Sequence, residues 1–175
     1  MKFLVLAVLF CGTAWANKSS HANVEELKMN KRFGLGVAAG GSLSVMGLEA
    51  DVNITPEWSL SVGLGTGIDY NTFAVKNRFF LPGQWVSPYL GAGVARWWTG
   101  GTKEKHVGPS VLANKFLAGQ SDFTEGFDVW MVYPCAGVQF MHWAGFGFYA
   151  EVQYLFKLVN FAHGGYAGLG MHWYF

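Results

Sequence analysis

Glu49 and Asp51 stand two residues apart, as do Lys76 and Arg78, and Glu151 and Lys157 are separated by six. Even spacing places the members of each pair on one face of an extended strand. These acids and bases are able to neutralise one another, and a tight interior would force them to pair, because a buried unpaired charge is costly. The chemistry expected of them is an ion-pair network, not turnover. The competing expectation is a row of individually hydrated charges lining a narrow water path.

The remaining reactive groups are sparse. His21, His106, His142, His163 and His172 show neither H-E-x-x-H nor H-x₃-H spacing, so no metal site is expected. His142 reads as a turn residue, His172 as an inward packing residue with a hydrogen bond, and His163 as part of the last outer loop. Gly63-Leu64-Gly65 sits inside a strand pattern, with no following helix or Lys-Ser/Thr, and is not a phosphate loop. Cys135 has no cysteine partner once the leader is removed, and reads as a small packed side chain. No catalytic residue, metal or cofactor is expected.

The elements that position the charges follow from a period of two, which begins at Arg32. Phe33, Leu35, Val37 and Ala39 alternate with small residues. Met46, Leu48, Ala50 and Val52 alternate with Gly47, Glu49, Asp51 and Asn53. Trp58 to Ile68, Phe73 to Leu81, Leu90 to Val94, Trp130 to Phe140, Phe148 to Phe156 and Ala167 to Phe175 repeat the rhythm. Eight strands of roughly 9–13 residues are predicted, the length that crosses a bilayer at a tilt. Arg96 is read as near a strand end, and Pro134 as a bulge or local register change. Even-numbered connections are compact, at 55–57, 82–87 and 142–145. The longest, 99–126, is the third of the odd-numbered connections, which are expected to face the cell exterior. Within it, 109–118 has helical spacing, read as a short helix on the rim, with docking of a partner as the sharper alternative. Trp58, Trp85, Trp143 and Trp173 fall at one set of strand ends, as an aromatic girdle would.

The chain opens on Lys2, an apolar run over 3–10 and the A-x-A site Ala14-Trp15-Ala16. Residues 1–16 are therefore expected to be a signal peptide. Cys11 raises a lipoprotein reading, but Phe10 stands where a small residue is needed. Residues 17–31 are expected to be a periplasmic lead-in with a short helix around 24–29, and 32–175 a transmembrane barrel. A plug formed by the tail inside the lumen is the less favoured alternative. Charged residues make up 13% and aromatics 17% of the chain, with 24 glycines. A soluble surface carries about twice that charge. The net charge of +1 gives no basic field for nucleic acid. Lipid cannot satisfy an open sheet edge, so a membrane sheet must close.

Ala167-Gly168-Leu169-Gly170-Met171-His172-Trp173-Tyr174-Phe175 resembles the C-terminal signature of outer-membrane proteins, with a terminal Phe and apolar residues at every second position. Ser87-Pro88-Tyr89-Leu90-Gly91-Ala92-Gly93-Val94 is similar to a strand common in small barrels of the OmpA, OmpX and OmpW type, without choosing among them. The resemblance covers roughly residues 32–175. It implies an all-β, closed, antiparallel eight-stranded up-and-down barrel in a Gram-negative outer membrane, surrounded by lipid. It also implies recognition of the last strand, through Phe175, by the barrel assembly machinery.

A lipocalin or sandwich also alternates; the terminal Phe, aromatic ends, glycine-rich polar face and low charge favour the membrane reading. The functional expectation is a structural or surface-interaction barrel, with the lumen blocked by Glu49, Asp51, Lys76, Arg78, Glu151 and Lys157 and a possible surface partner at 99–126. A narrow passive channel, as the OmpW likeness would suggest, is the alternative. A lipid A-modifying enzyme of the PagL or PagP kind fits less well, because no His-x-Ser pattern occurs.

Overall fold

The computed structural model describes residues 24–67, 70–83, 85–99 and 127–175. A short helix, α1 (Val24–Asn30), precedes eight strands: β1 (Phe33–Gly40), β2 (Met46–Asn53), β3 (Trp58–Thr66), β4 (Asn71–Phe80), β5 (Val86–Trp98), β6 (Asp128–Met141), β7 (Phe146–Lys157) and β8 (His163–Tyr174). Each strand pairs antiparallel with the next, and β8 returns to β1, from Gly34↔Tyr174 to Gly40↔Gly168. The meander is closed, so no strand edge is left unpaired.

The alternation read from the sequence is the alternation of the wall. Outward positions are apolar and exposed, including Leu48 at 69%, Leu90 at 62% and Val152 at 63%. A water-soluble protein does not surround itself with such a surface, whereas hydrocarbon is its natural solvent. Among the described strand residues, the outward charges are Arg96 and Asp128, and they meet each other at 2.6 Å. Outward Asn77 accepts a hydrogen bond from the Trp58 indole at 2.5 Å.

β3 ends at Thr66; Gly67 N–H donates to the Tyr70 carbonyl at 2.8 Å, Thr66 Oγ1 donates to the same oxygen at 3.1 Å, and Ile68 lies outside the described residues. Two local expectations change. Pro134 causes no bulge or register change. Pairing to β7 runs Met131↔Lys157 and Val132↔Phe156, skips two positions, and resumes in the same register at Cys135↔Gln153. Proline removes one donor there without adding a residue. His163 is the first residue of β8, not a loop residue, and its Nδ1 lies 2.5 Å from the Tyr154 hydroxyl.

The two mouths are filled differently. At the end that holds both termini of the barrel, α1 packs Val24 and Leu27 against Met141 and Tyr174, so the 24–29 segment is seated in the opening and not merely leading up to it. At the other end, the chain after β1 makes a 3-10 turn (Gly41–Leu43) that folds inward. Ser42 N–H donates to Gln153 Oε1 at 2.7 Å, and the Trp97 indole donates to the Ser42 carbonyl at 2.8 Å. Leu43 joins Tyr70, Trp97, Phe127, Val129, Met131 and Leu155 in an apolar cluster there. The predicted signal peptide, Cys11, His21, His106 and the 109–118 segment lie outside the described residues.

Candidate functional site

The middle of the barrel is polar because β2, β4 and β7 each present charges to it, and their neighbours give those charges room. Glu49 is flanked across the sheet by Gly36 and Gly63, Arg78 by Ser59 and Gly91, and Glu151 by Gly137 and Gly168. Glycine is required where an aromatic ring lies flat on the wall: a Cβ on Gly34 would stand 2.7 Å from the Tyr174 ring.

Two layers result. In the first, Lys76 Nζ lies 2.7 Å from Glu151 Oε1 and 3.3 Å from Glu49 Oε1, joining β4 to both β7 and β2. In the second, Arg78 meets Asp51 Oδ1 at 2.6 Å and donates to Ser59 Oγ at 3.3 Å. These five side chains are buried. Three carboxylates face two cations, and tyrosines supply further donors. Tyr89 donates to Glu151 at 2.7 Å, Tyr174 to Asp51 at 2.6 Å, and Tyr149 to Glu49. Ser61 adds a bond to Asp51 at 2.9 Å, Gln153 one to Glu151 at 2.7 Å, and Gln139 donates to the Tyr174 hydroxyl at 2.7 Å. A carboxylate that accepts two or three such bonds keeps its charge without water. His172 stacks on Tyr149 with ring centroids 5.4 Å apart, and its Nε2 is 3.6 Å from Glu49, too far for a strong hydrogen bond.

The structure thus brings together Glu49, Asp51, Lys76, Arg78 and Glu151. It does not bring Lys157 to them. Lys157 points inward at the far end of β7, six positions and roughly 20 Å of strand beyond Glu151, so shared sidedness did not mean shared height. The tyrosines were on the inward face of the alternation, but their role as donors to the carboxylates was missed. Trp58, Trp85, Trp143 and Trp173 all lie at the end that holds α1 and the short turns. Trp143 and Trp173 are exposed, and Trp85 lies beside His142 at 6.5 Å between ring centroids. Phe175 continues β8: its N–H donates to the Phe33 carbonyl at 2.8 Å, and the two rings stack at 6.3 Å. Cys135 is buried with its thiol free. Among the described residues, no cluster of three or more metal-ligating side chains occurs.

No protein-family model and no curated protein matches the chain. Solved structures do. The N-terminal β-barrel domain of Pseudomonas aeruginosa OprF superimposes with a TM-score of 0.60 at 14% identity, covering 83% of this chain and 98% of that one. The fold is that of a small outer-membrane barrel. The outer membrane protein Ail of Yersinia pestis shows a weaker likeness, with a TM-score of 0.45 at 14% identity over 83% of this barrel's chain and 99% of its own. At these identities the likeness is one of architecture, and the chemistry inside the barrel must be read from its own residues.

Proposed function

We propose that this chain is an integral outer-membrane barrel with a structural or surface-interaction role, whose lumen is blocked by its own side chains. The observation that carries the reading is Lys76, held between Glu49 and Glu151 across the lumen. The space left among Lys76, Tyr133, Tyr149 and Glu151 is about 10 Å³, room for roughly one water. The inward 3-10 turn and α1 stand above and below this layer. A passive channel would need the ion pairs and both closures to open together. Planar-bilayer recording tests this directly. The expected outcome is no steady conductance; a large, stable one would establish the channel reading instead.

The short turns and α1 then face the periplasm, and the connection containing 99–126 faces outward, where it is the segment available to a surface partner. Catalysis is not part of the proposal: among the described histidines, His163 pairs with a tyrosine, His172 stacks inside the network, and His142 lies against two tryptophans. Unaltered lipid A on expression is the expected result. The pairing of β8 with β1 makes Phe175 part of the closing seam, consistent with its reading by the assembly machinery. Deleting Phe175 should lower the amount of heat-modifiable barrel in the outer-membrane fraction several-fold. A normal yield would remove that role.

A further inference from the structure

Arg96 and Asp128 are the outward charges of the described strands, and the β5–β6 ladder sets them in a particular frame. Arg96 pairs with Trp130, and two residues further from α1, Trp98 pairs with Asp128. All four side chains point outward, so they form a square. The ion pair spans one diagonal: Arg96 Nε donates to Asp128 Oδ1 at 2.9 Å and Nη2 to Oδ2 at 2.6 Å. The indoles take the other two corners, with ring centroids 5.3 Å (Trp98) and 5.5 Å (Trp130) from the guanidinium carbon.

The height of the square on the wall follows from strand geometry. β5 begins at the α1 end with Val86, an exposed apolar residue, and Arg96 stands ten positions later. Ten residues make ~33 Å of strand, and at a tilt of about 40° this is roughly 25 Å along the barrel axis. The apolar band of an outer-membrane barrel is about 25 Å tall, with aromatic residues at both edges. The square therefore lies at the membrane edge opposite α1, and Arg96 reaches away from the hydrocarbon to meet Asp128.

A guanidinium has two edges able to grip an oxyanion with parallel N–H bonds. Asp128 occupies the Nε–Nη2 edge. Among the described residues nothing accepts from the Nη1–Nη2 edge, and the side chains of Arg96 and Asp128 are 39% and 49% exposed. Self-neutralisation alone would suit any level of the wall; this pair stands at the level of lipid phosphates. We infer that the free edge of Arg96 binds the phosphate of a membrane lipid, with Asp128 holding the guanidinium in position and the Trp98 and Trp130 rings flanking it. Lipid is the occupant because the square faces the bilayer, directly above the outward apolar pair Val94 and Val132, where an acyl chain would lie. Because Asp128 offsets the positive charge, what recognises phosphate is the fork of donors and not a net field. The inference rests on the transmembrane fold. It depends neither on whether the lumen conducts nor on which face of the membrane this end meets.

The test uses the folded barrel in dodecyl maltoside micelles. The probes are lauroyl lysophosphatidic acid and monolaurin, which share an acylglycerol and differ in the phosphate. Glycerol 3-phosphate supplies the phosphate without the chain. NMR shifts of the Arg96 Nε–H and of the Trp98 and Trp130 indole N–H groups report binding. Lysophosphatidic acid should shift all three saturably, and neither monolaurin nor glycerol 3-phosphate should do so at the same concentration. Arg96→Lys keeps the charge and loses the fork; it should weaken binding about tenfold, as expected for one lost hydrogen bond to a charged group. Arg96→Gln should abolish binding. The indole signals report in both variants, and heat-modifiable migration checks that each is folded. Equal shifts from monolaurin, saturation by glycerol 3-phosphate at the same concentration, full affinity in Arg96→Lys or binding that survives Arg96→Gln would overturn the inference.

Discussion

Arg78 and Lys28 are both buried cations, and both lie against the ring of Phe80, with Lys28 Nζ 2.9 Å and the Arg78 guanidinium 5.6 Å from its centroid. They are held in opposite ways. Arg78 stands on a strand, in a register that delivers Asp51 to 2.6 Å and Ser59 to 3.3 Å. Lys28 stands on a helix of seven residues, and among the described residues its Nζ has neither a hydrogen-bond acceptor nor a carboxylate at ion-pair distance. The Arg78 guanidinium ends likewise make no well-aligned hydrogen bond, so what separates the two cations is the close Asp51 carboxylate. The barrel wall can specify a partner for a buried charge because pairing fixes every inward side chain relative to its neighbours. A short helix docked by Val24 and Leu27 has no such register, and carries its charge in as a cost. The contrast predicts that the interior is rigid and the helix-filled mouth conditional.

The largest effect should come from breaking the fixed pair. Arg78→Met strands Asp51 in a site built for a cation, and removal of one member of a buried pair costs about 3–5 kcal/mol. Equilibrium urea unfolding in micelles measures it. The double variant Asp51→Leu with Arg78→Met should recover much of the loss, since apolar replacement of a buried pair is often near neutral. Failure of the double variant to recover would mean that the pair fixes the geometry around it, and not only its own charges.

A smaller loss should follow from removing a donor while leaving the ions. Tyr149→Phe deletes the hydroxyl that serves Glu49 and keeps the ring that stacks on His172. Hydrogen bonds to charged groups contribute about 1.5–3 kcal/mol. Glu49 retains Lys76 at 3.3 Å, so the loss should fall below that of Arg78→Met. Equal losses would show that the tyrosines matter to the network as much as the cations do.

The sequence reveals these regions unequally, for physical reasons. The eight strands and their two faces were legible because period-two alternation is local and a buried face enforces it. Glu49, Asp51, Lys76, Arg78 and Glu151 were legible as inward for the same reason. Their partners were not, because Tyr149 on β7 reaches Glu49 on β2, three strands away around the barrel, and their relative height depends on the stagger of strands around the closed sheet. Lys157 shows the same limit: its side of the wall was clear and its level was not. For α1, the signal was Val24 and Leu27 three apart, too short a stripe to indicate what the helix packs against.

The mouth yields the smallest effect on the barrel as a whole, because it is confined to α1, and a distinctive one. Burial pushes the Lys28 pKa down to about 6, and repulsion from Arg78 acts in the same direction; Asp51 and Glu25 offset part of this. The seated helix therefore holds fewer protons than a released one between pH 6 and the ordinary lysine value of 10.5. Stability rises with pH wherever the released state binds more protons, so seating should strengthen across that window and level off on either side. Hydrogen-exchange protection of α1, corrected for intrinsic rates, should be greater at pH 9 than at pH 6. Lys28→Met removes the titrating group while keeping the stem that covers Phe80. It should raise protection at pH 6 toward the level seen at pH 9 and flatten the pH dependence. Protection that falls with pH, or a slope unchanged in Lys28→Met, would show that the helix is held as firmly as the strands and would erase the contrast with Arg78.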